Sequence, residues 1–474
     1  MPLLQHSAIL VTSRLMNQLF VDPFLRMIGV AIFILRKVLC MSRFTFNTTV
    51  LCLMMGWQGS AFAQLDATEQ AIVTFIDDSN GAAEELLIES VNINSGTMNF
   101  AGVRAVADHM MPHFEAIGFE TRWEDGSAFG RAGHLIAQIR GGEGPKLLLI
   151  GHLDTVFEPS SGFQNFERID AERATGPGTT DMKGGNVIML QALRALHAVD
   201  LLQDMDITVV MTGDEELSGS PLALSKKAII DAATYADIAI GFEDGDGNPT
   251  TANISRRGSS GWTLQVKGTP AHSSQVFRED IGPGAIYETA RILLLFLENL
   301  QQEENLTFNP GRILGGSEIT HDSETSSGTA FGKNNVIAES ALVTGDLRAV
   351  SLEQLERARS TMSEIVAANF PHTSAEITFS DGYPPLAPTQ GNADLLRVYS
   401  QASADLGLGS VAAVNPRLAG AADVSFTSGL VDMAIDGLGL SGSGGHTVDE
   451  TALLTALPSQ SKRAALLMYR LHQN

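Results

Sequence analysis

Cysteine is nearly absent from this chain. There are only two among 474 residues, Cys40 and Cys52, both within the first 63. Everything after Ala63 therefore lacks a disulfide framework, thiolate metal ligands and a cysteine nucleophile. Basic charge is also scarce: 31 Lys and Arg face 54 Asp and Glu, a formal net charge of −23. That balance argues against nucleic acid or an anionic membrane surface as partner. No internal repeat or low-complexity tract stands out. The apolar run "MIGVAIFIL" (27–35) stops at Arg36 and Lys37, too short to span a bilayer.

What is present begins with a leader. From Met41 the chain reads "MSRFTFNTTVLCLMMGWQGSAFAQ", with a basic start at Arg43, an apolar stretch and small residues before Gln64. This fits a secretory signal peptide over 41–63, cut after Ala63. Residues 1–40 read as an upstream extension. The expected location is periplasmic or secreted, with no membrane attachment once the leader is removed.

Beyond the leader, the apolar content (44%) supplies large cores. "DATEQAIVTFIDDS" reads as a helix capped by Asp66. "KLLLIGH" (146–152), "DITVVMTG" (206–213) and "ADIAIGFE" (236–243) read as interior strands, and "GGNVIMLQALRALHAV" has helical spacing. This is an α/β pattern with a mostly parallel sheet. Residues 256–384 change rhythm to β-α-β-β-α-β, the order of a ferredoxin-like α+β unit. "GYPPLAP" (382–388) then supplies a stiff linker. The expected organisation is one α/β domain, 64–255 plus 385–474, interrupted by a smaller domain at 256–384.

The chemistry starts in "LLLIGHLDTVF" (147–157). An interior strand has no polar face to spare, yet this one ends in His152 and Asp154. Residues two apart point to the same side, at the strand end where open α/β sheets hold ligands. Three further segments end alike. "GPGTTDMKGG" offers Asp181, "VVMTGDEELSGS" offers Glu215 and Glu216, and "IAIGFEDGDG" offers Glu243. Carboxylates gathered on one rim repel and raise one another's pKa, so the cluster calls for a cation that Lys183 cannot replace. Histidine with several carboxylates suits zinc, or sometimes cobalt or manganese. The Gly-rich "LSGSGGHTVDE" offers a second histidine, His446. His272, in "VKGTPAHSS", stands apart from this set.

In order and spacing, "GHLDTV", "GPGTTDMKGG", "TGDEELSGS", "VKGTPAHSS", "NVIAESALVTGDLR" and "GGH" resemble the co-catalytic di-zinc peptidases. That family includes glutamate carboxypeptidase, aminoacylase, acetylornithine deacetylase and succinyl-diaminopimelate desuccinylase, and the chain looks closest to the first. The resemblance covers about 70–474 and implies two Zn²⁺ ions, with Co²⁺ or Mn²⁺ as substitutes. His152 and Glu243 would bind one ion, Glu216 and His446 the other, and Asp181 both. Asp154 would hydrogen-bond the His152 ring. Glu215 would be the general base toward a metal-bridged water. The Asp181–Met182 peptide, by the same resemblance, would be cis. The inserted domain would be a lid and homodimer interface. His272 would stabilise the oxyanion, often from the partner subunit, while Asn335 and Arg348 would hold the substrate's polar end. Arg348 could equally pair with Asp346.

Two departures from the glutamate carboxypeptidase pattern matter. Tyr383 stands where a basic residue is usual. "AGAADVS", with Ala421, Ala422 and Asp423, replaces a Gly-Gly-Thr-Asp loop that receives a carboxylate; Arg417 nearby could serve instead. The expected activity is hydrolysis of a small peptide or an N-acyl amino acid, carboxypeptidase-like. The alternatives are an aminoacylase- or deacetylase-like enzyme and a metal- or peptide-binding protein without catalysis.

Overall fold

The computed structural model describes residues 65–323 and 325–473. The readings of 1–40 as an extension and 41–63 as a signal peptide lie outside them. Helix α1 (Ala67–Val91) opens on a reciprocal cap: Asp66 Oδ1 accepts the Glu69 N–H at 2.7 Å, and Glu69 accepts the Asp66 N–H at 3.0 Å. Two donors that a helix start leaves unpaired are thereby satisfied.

The larger sheet has six strands: β1 (Glu120–Asp125), β2 (Gly133–Ile139), β3 (Lys146–His152), β4 (Asp206–Thr212), β5 (Ile238–Gly241) and β12 (Met433–Ile435), in the order β1-β2-β4-β3-β5-β12. Only β2 runs against the others, so the mostly parallel expectation holds, although β1 and β2 were not anticipated. The sheet is buried on both faces, and β3 shows why. Leu147 and Leu149 join the core beneath α1, α3 (Lys183–Ala198) and α8 (Ala456–Gln473), whereas Leu148 and Ile150 join a second core under α4 (Lys227–Tyr235). Side chains alternate along a strand, so a four-residue apolar run feeds two cores at once. The C-terminal part of the chain returns to complete this sheet: Met433 to Ile435 pair with Ile238 to Ile240.

Between β5 and β12 lies a separate antiparallel sheet built from β6 (Ser260–Gly268), β7 (Thr307–Gly316), β10 (Ser340–Arg348) and β11 (Thr373–Ser380), ordered β7-β10-β6-β11. Helices α5 (Ala285–Leu300) and α6 (Leu352–Ala367) share its core with Trp262, Leu264, Val343, Phe296 and Met362. This is the ferredoxin-like order. One addition was not read from the sequence: an exposed hairpin, β8 (Glu318–Asp322) with β9 (Ser327–Phe331).

Candidate metal centre and active site

The carboxyl ends of β3, β4 and β5 lie side by side, because these strands are parallel neighbours. They deliver His152, the Glu215–Glu216 step and Glu243 to one rim. Asp181 comes from the loop just ahead of α3, and its peptide to Met182 is cis. His446 arrives by a different route. Residues 442–443 pair with 451–452, and 451–453 pair in turn with 173–175, so the intervening Gly-rich loop lies over the Asp181 loop. Glu450 fastens the two together. Its carboxylate accepts the N–H groups of Gly178 (3.1 Å), Thr180 (2.8 Å) and Asp181 (3.3 Å), and both threonine hydroxyls of that loop. The sequence reading missed Glu450; its only signal was an acid four residues past His446.

Asp181 is central. Its Oδ1 lies 3.0 Å from His152 Nε2 and its Oδ2 lies 2.8 Å from His446 Nε2. Glu243 Oε1 is 3.6 Å from His152 Nε2, and Glu216 Oε2 is 3.0 Å from His446 Nε2. Donor atoms of His152, Glu215 and Glu243 fall within 4.8 Å of one another, as do those of His152, Asp181 and Glu216. Five predicted metal-binding residues and the predicted base thus converge.

Burial drives Glu216 up to about 6. It also drives Glu243 well above the carboxylate range, with Asp181 adding to the rise, and Glu215 likewise, with Asp423 adding. Burial opposes ionisation of Asp181, but the two histidines win and hold it low. His446, hydrogen-bonded to Asp181 and Glu216, is pushed up to about 11. Glu216 Oε1 is buried with no hydrogen-bond partner among the described residues, an expensive state for a carboxylate oxygen unless something binds it. An excess of buried acid, two imidazoles and one orphaned oxygen fit a pair of divalent cations.

The Asp154 carboxylate faces the His152 ring, as the resemblance implies, and it has a second task. The nearest acceptor to His152 Nδ1 is the Asp154 backbone carbonyl at 3.0 Å, with the carboxylate at 3.5 Å. The carboxylate also takes the backbone N–H groups of Glu215 (3.1 Å) and Glu216 (3.2 Å) and the Thr97 hydroxyl (2.6 Å). Its reach beyond the strand end favours the turn after β4, whose N–H groups would otherwise be unpaired.

The remaining candidates do not join this cluster. His272 is exposed, and its loop is tied to Asn335 by the Ser273 N–H to the Asn335 carbonyl (2.9 Å). Arg348 pairs with Asp346 at 2.8 Å, the second of the two readings. Asn335 and Arg348 flank opposite ends of β10, so they do not meet in one chain. Arg417 is exposed beside a cavity of about 690 Å³ formed with Gln301–Asn305 and Ala413–Pro416. Asp423 is buried and engaged by Thr212, Lys226 and Tyr383, so this acid faces the protein interior.

Comparison with known proteins agrees with this site. Residues 148–470 match the model of peptidase family M20/M25/M40. Carboxypeptidase G2 of Pseudomonas sp. (strain RS-16) is 24% identical over 416 residues, covering 86% of this chain and 94% of that protein. A probable succinyl-diaminopimelate desuccinylase of Staphylococcus epidermidis is 30% identical over 176 residues, 36% of this chain and 40% of its own. Among solved structures, aminopeptidase PepT from Bacillus cereus superposes with a TM-score of 0.64 at 16% identity, covering 83% of this chain and 98% of that one. The YXEP protein of Bacillus subtilis, described as a dinuclear metal binding peptidase of the M20 family, gives 0.57 at 15% identity over 84% and 99%.

Proposed function

The chain belongs to peptidase family M20/M25/M40 and is a metal-dependent hydrolase; from that premise we propose a carboxypeptidase-like enzyme that cleaves peptide or N-acyl amino-acid amide bonds with two zinc ions. The observation that carries it is Asp181, whose two oxygens each face a different histidine. In this reading His152 and Glu243 hold one ion, Glu216 and His446 the other, and Asp181 spans both. Nitrogen and oxygen donors in these numbers suit zinc. Once bound, the two ions polarise the scissile carbonyl and acidify water near neutral pH. Glu215 is the base: it takes the proton of the attacking water and hands it to the departing amine. Asp154 holds the backbone of Glu215 and Glu216, keeping base and ligand in fixed relation.

His272 and Asn335 are read as groups that a second copy brings to the site, His272 toward the oxyanion. β10 has nine residues, so at about 3.3 Å per residue it sets Asn335 roughly 26 Å or more from Arg348. The helix face with Ile286, Tyr287, Leu294 and Leu297 is exposed, as is Ile313 on the edge strand β7. An apolar face beside an open strand edge favours pairing with an identical copy, hence a homodimer through this sheet. The leader favours export to the periplasm or beyond.

A screen of zinc- and cobalt-loaded protein beginning at Gln64 tests the reading. Release of C-terminal amino acids from small peptides and acyl-glutamate conjugates is expected. Exclusive release of short acids from N-acyl amino acids would move the assignment to the aminoacylase or deacetylase type. Hydrolysis of nothing in the panel, with Glu215→Gln binding ligands as the parent does, would leave a binding protein.

A further inference from the structure

Behind Glu215 lies a buried polar cluster that the ligand set does not use. Lys226 Nζ, fully buried, lies 3.0 Å from Asp214 Oδ1 and 3.0 Å from Asp423 Oδ1. Asp214 also accepts the Gly219 N–H (2.9 Å) and the Ser225 hydroxyl (2.6 Å), and Asp423 accepts the Thr212 hydroxyl (2.5 Å). The turn that presents Glu215 and Glu216 is therefore pinned at Asp214 and at Gly219.

Tyr383 reaches this cluster from the other side. Its phenol oxygen is 3.0 Å from the Glu215 carbonyl, 3.1 Å from Asp423 Oδ1 and 3.0 Å from Ser218 Oγ. The carbonyl and carboxylate can only accept, so Ser218 donates to the phenol, whose single proton is shared between the other two. The ring packs on Phe426, with Lys226 Nζ 5.3 Å from its centroid. The Tyr383 backbone carbonyl accepts the Ser259 N–H at 2.9 Å, and three residues on, Leu386 exchanges two hydrogen bonds with Arg256. These paired segments, 256–259 and 381–386, are the two connections that carry the second sheet.

We propose that Tyr383 is a positioning residue for Glu215: its phenol ties the carbonyl of the base's own peptide to the buried Asp423–Lys226 pair, and its backbone ties both to the segments that carry the second sheet. The direction of the Glu215 carboxylate then depends on how that sheet is seated, through one hydroxyl. The inference rests on Glu215 being the base. No metal contact is involved, so the ligand set is left intact when the hydroxyl goes.

Tyr383→Phe removes the oxygen and keeps the ring on Phe426. The expected result is unchanged zinc content, KM within about twofold of the parent, and kcat lower by roughly 10- to 100-fold, the scale of a base displaced by an ångström or less. A purely structural role would shift the unfolding midpoint without that split between kcat and KM. Ser218→Ala, which removes only the donor to the phenol, should give a smaller kcat loss at the same KM, and it carries the test if Tyr383→Phe does not fold. Parental kcat in both variants overturns the inference while Glu215→Gln stays inactive and the enzyme reading stands. Loss of zinc, or a rise in KM matching the fall in kcat/KM, overturns it as well. A parent that hydrolyses nothing overturns both together.

Discussion

Asp181 and His446 are 265 residues apart in the chain and lie 2.8 Å apart in the fold. The same carboxylate lies 3.0 Å from His152 through its other oxygen. Asp181→Asn keeps the shape and removes the charge, so both ions should be lost together. Metal analysis should show the decrease in both, with activity falling by more than the roughly 10- to 100-fold that loss of a supporting partner costs. Retention of one full equivalent would contradict a shared ligand.

Glu215→Gln should retain both ions and lower turnover by at least about 10²-fold, the scale of general-base catalysis. Its carboxylate lies within donor range of His152 and Glu243, so metal content is the deciding measurement. Loss of zinc would make Glu215 a ligand.

Glu450→Gln keeps an acceptor but loses the charge that gathers three N–H groups of the Asp181 loop. Metal affinity should weaken by roughly 10- to 100-fold with the fold intact. A metal titration followed by circular dichroism separates that outcome from unfolding.

Metal affinity should rise with pH. In the metal-free chain Glu216 is raised to about 6 and His446 to about 11, so both must release protons before they can bind a cation. Between about 6 and 11 the His446 proton competes, and so do those of His152 and Glu243, both held well above their ordinary values; below about 6 the Glu216 proton joins them, and the dependence steepens. Calorimetric titrations across this range in buffers of different ionisation heat would count the protons. A flat profile would refute the assignment of these two residues to one ion.

Lys226→Met should destabilise the fold by about 3–5 kcal/mol, because Asp214 and Asp423 would be left buried without their cation. Urea unfolding measures this directly. A neutral effect would contradict a structural role for these two buried ion pairs.

Much of the site was legible in the sequence because its parts sit at the ends of regular elements. An apolar strand that closes on His152, or on the turn to Glu215 and Glu216, announces itself: burial on both faces leaves no internal place for such residues. The second sheet was legible because β6 and β11 alternate along their length and α5 and α6 keep helical spacing. The strands β1 and β2 were not, because exposed positions blur the first and His134 and Gln138 interrupt the apolar run of the second.

Tertiary structure alone decided the rest. No local pattern says that Asp154 serves the Glu215–Glu216 backbone as well as the His152 ring, that Arg348 is spent on Asp346, or that Glu450 braces the Asp181 loop. Nor does any say that Tyr383, a departure from the expected pattern, and Asp423, 40 residues away, hydrogen-bond to each other beside a buried Lys226. Residue types and spacing fix which donors a strand end can present, since backbone geometry is local. Which of several competing acceptors each donor finds is settled only when distant segments pack and every buried polar group must be paired.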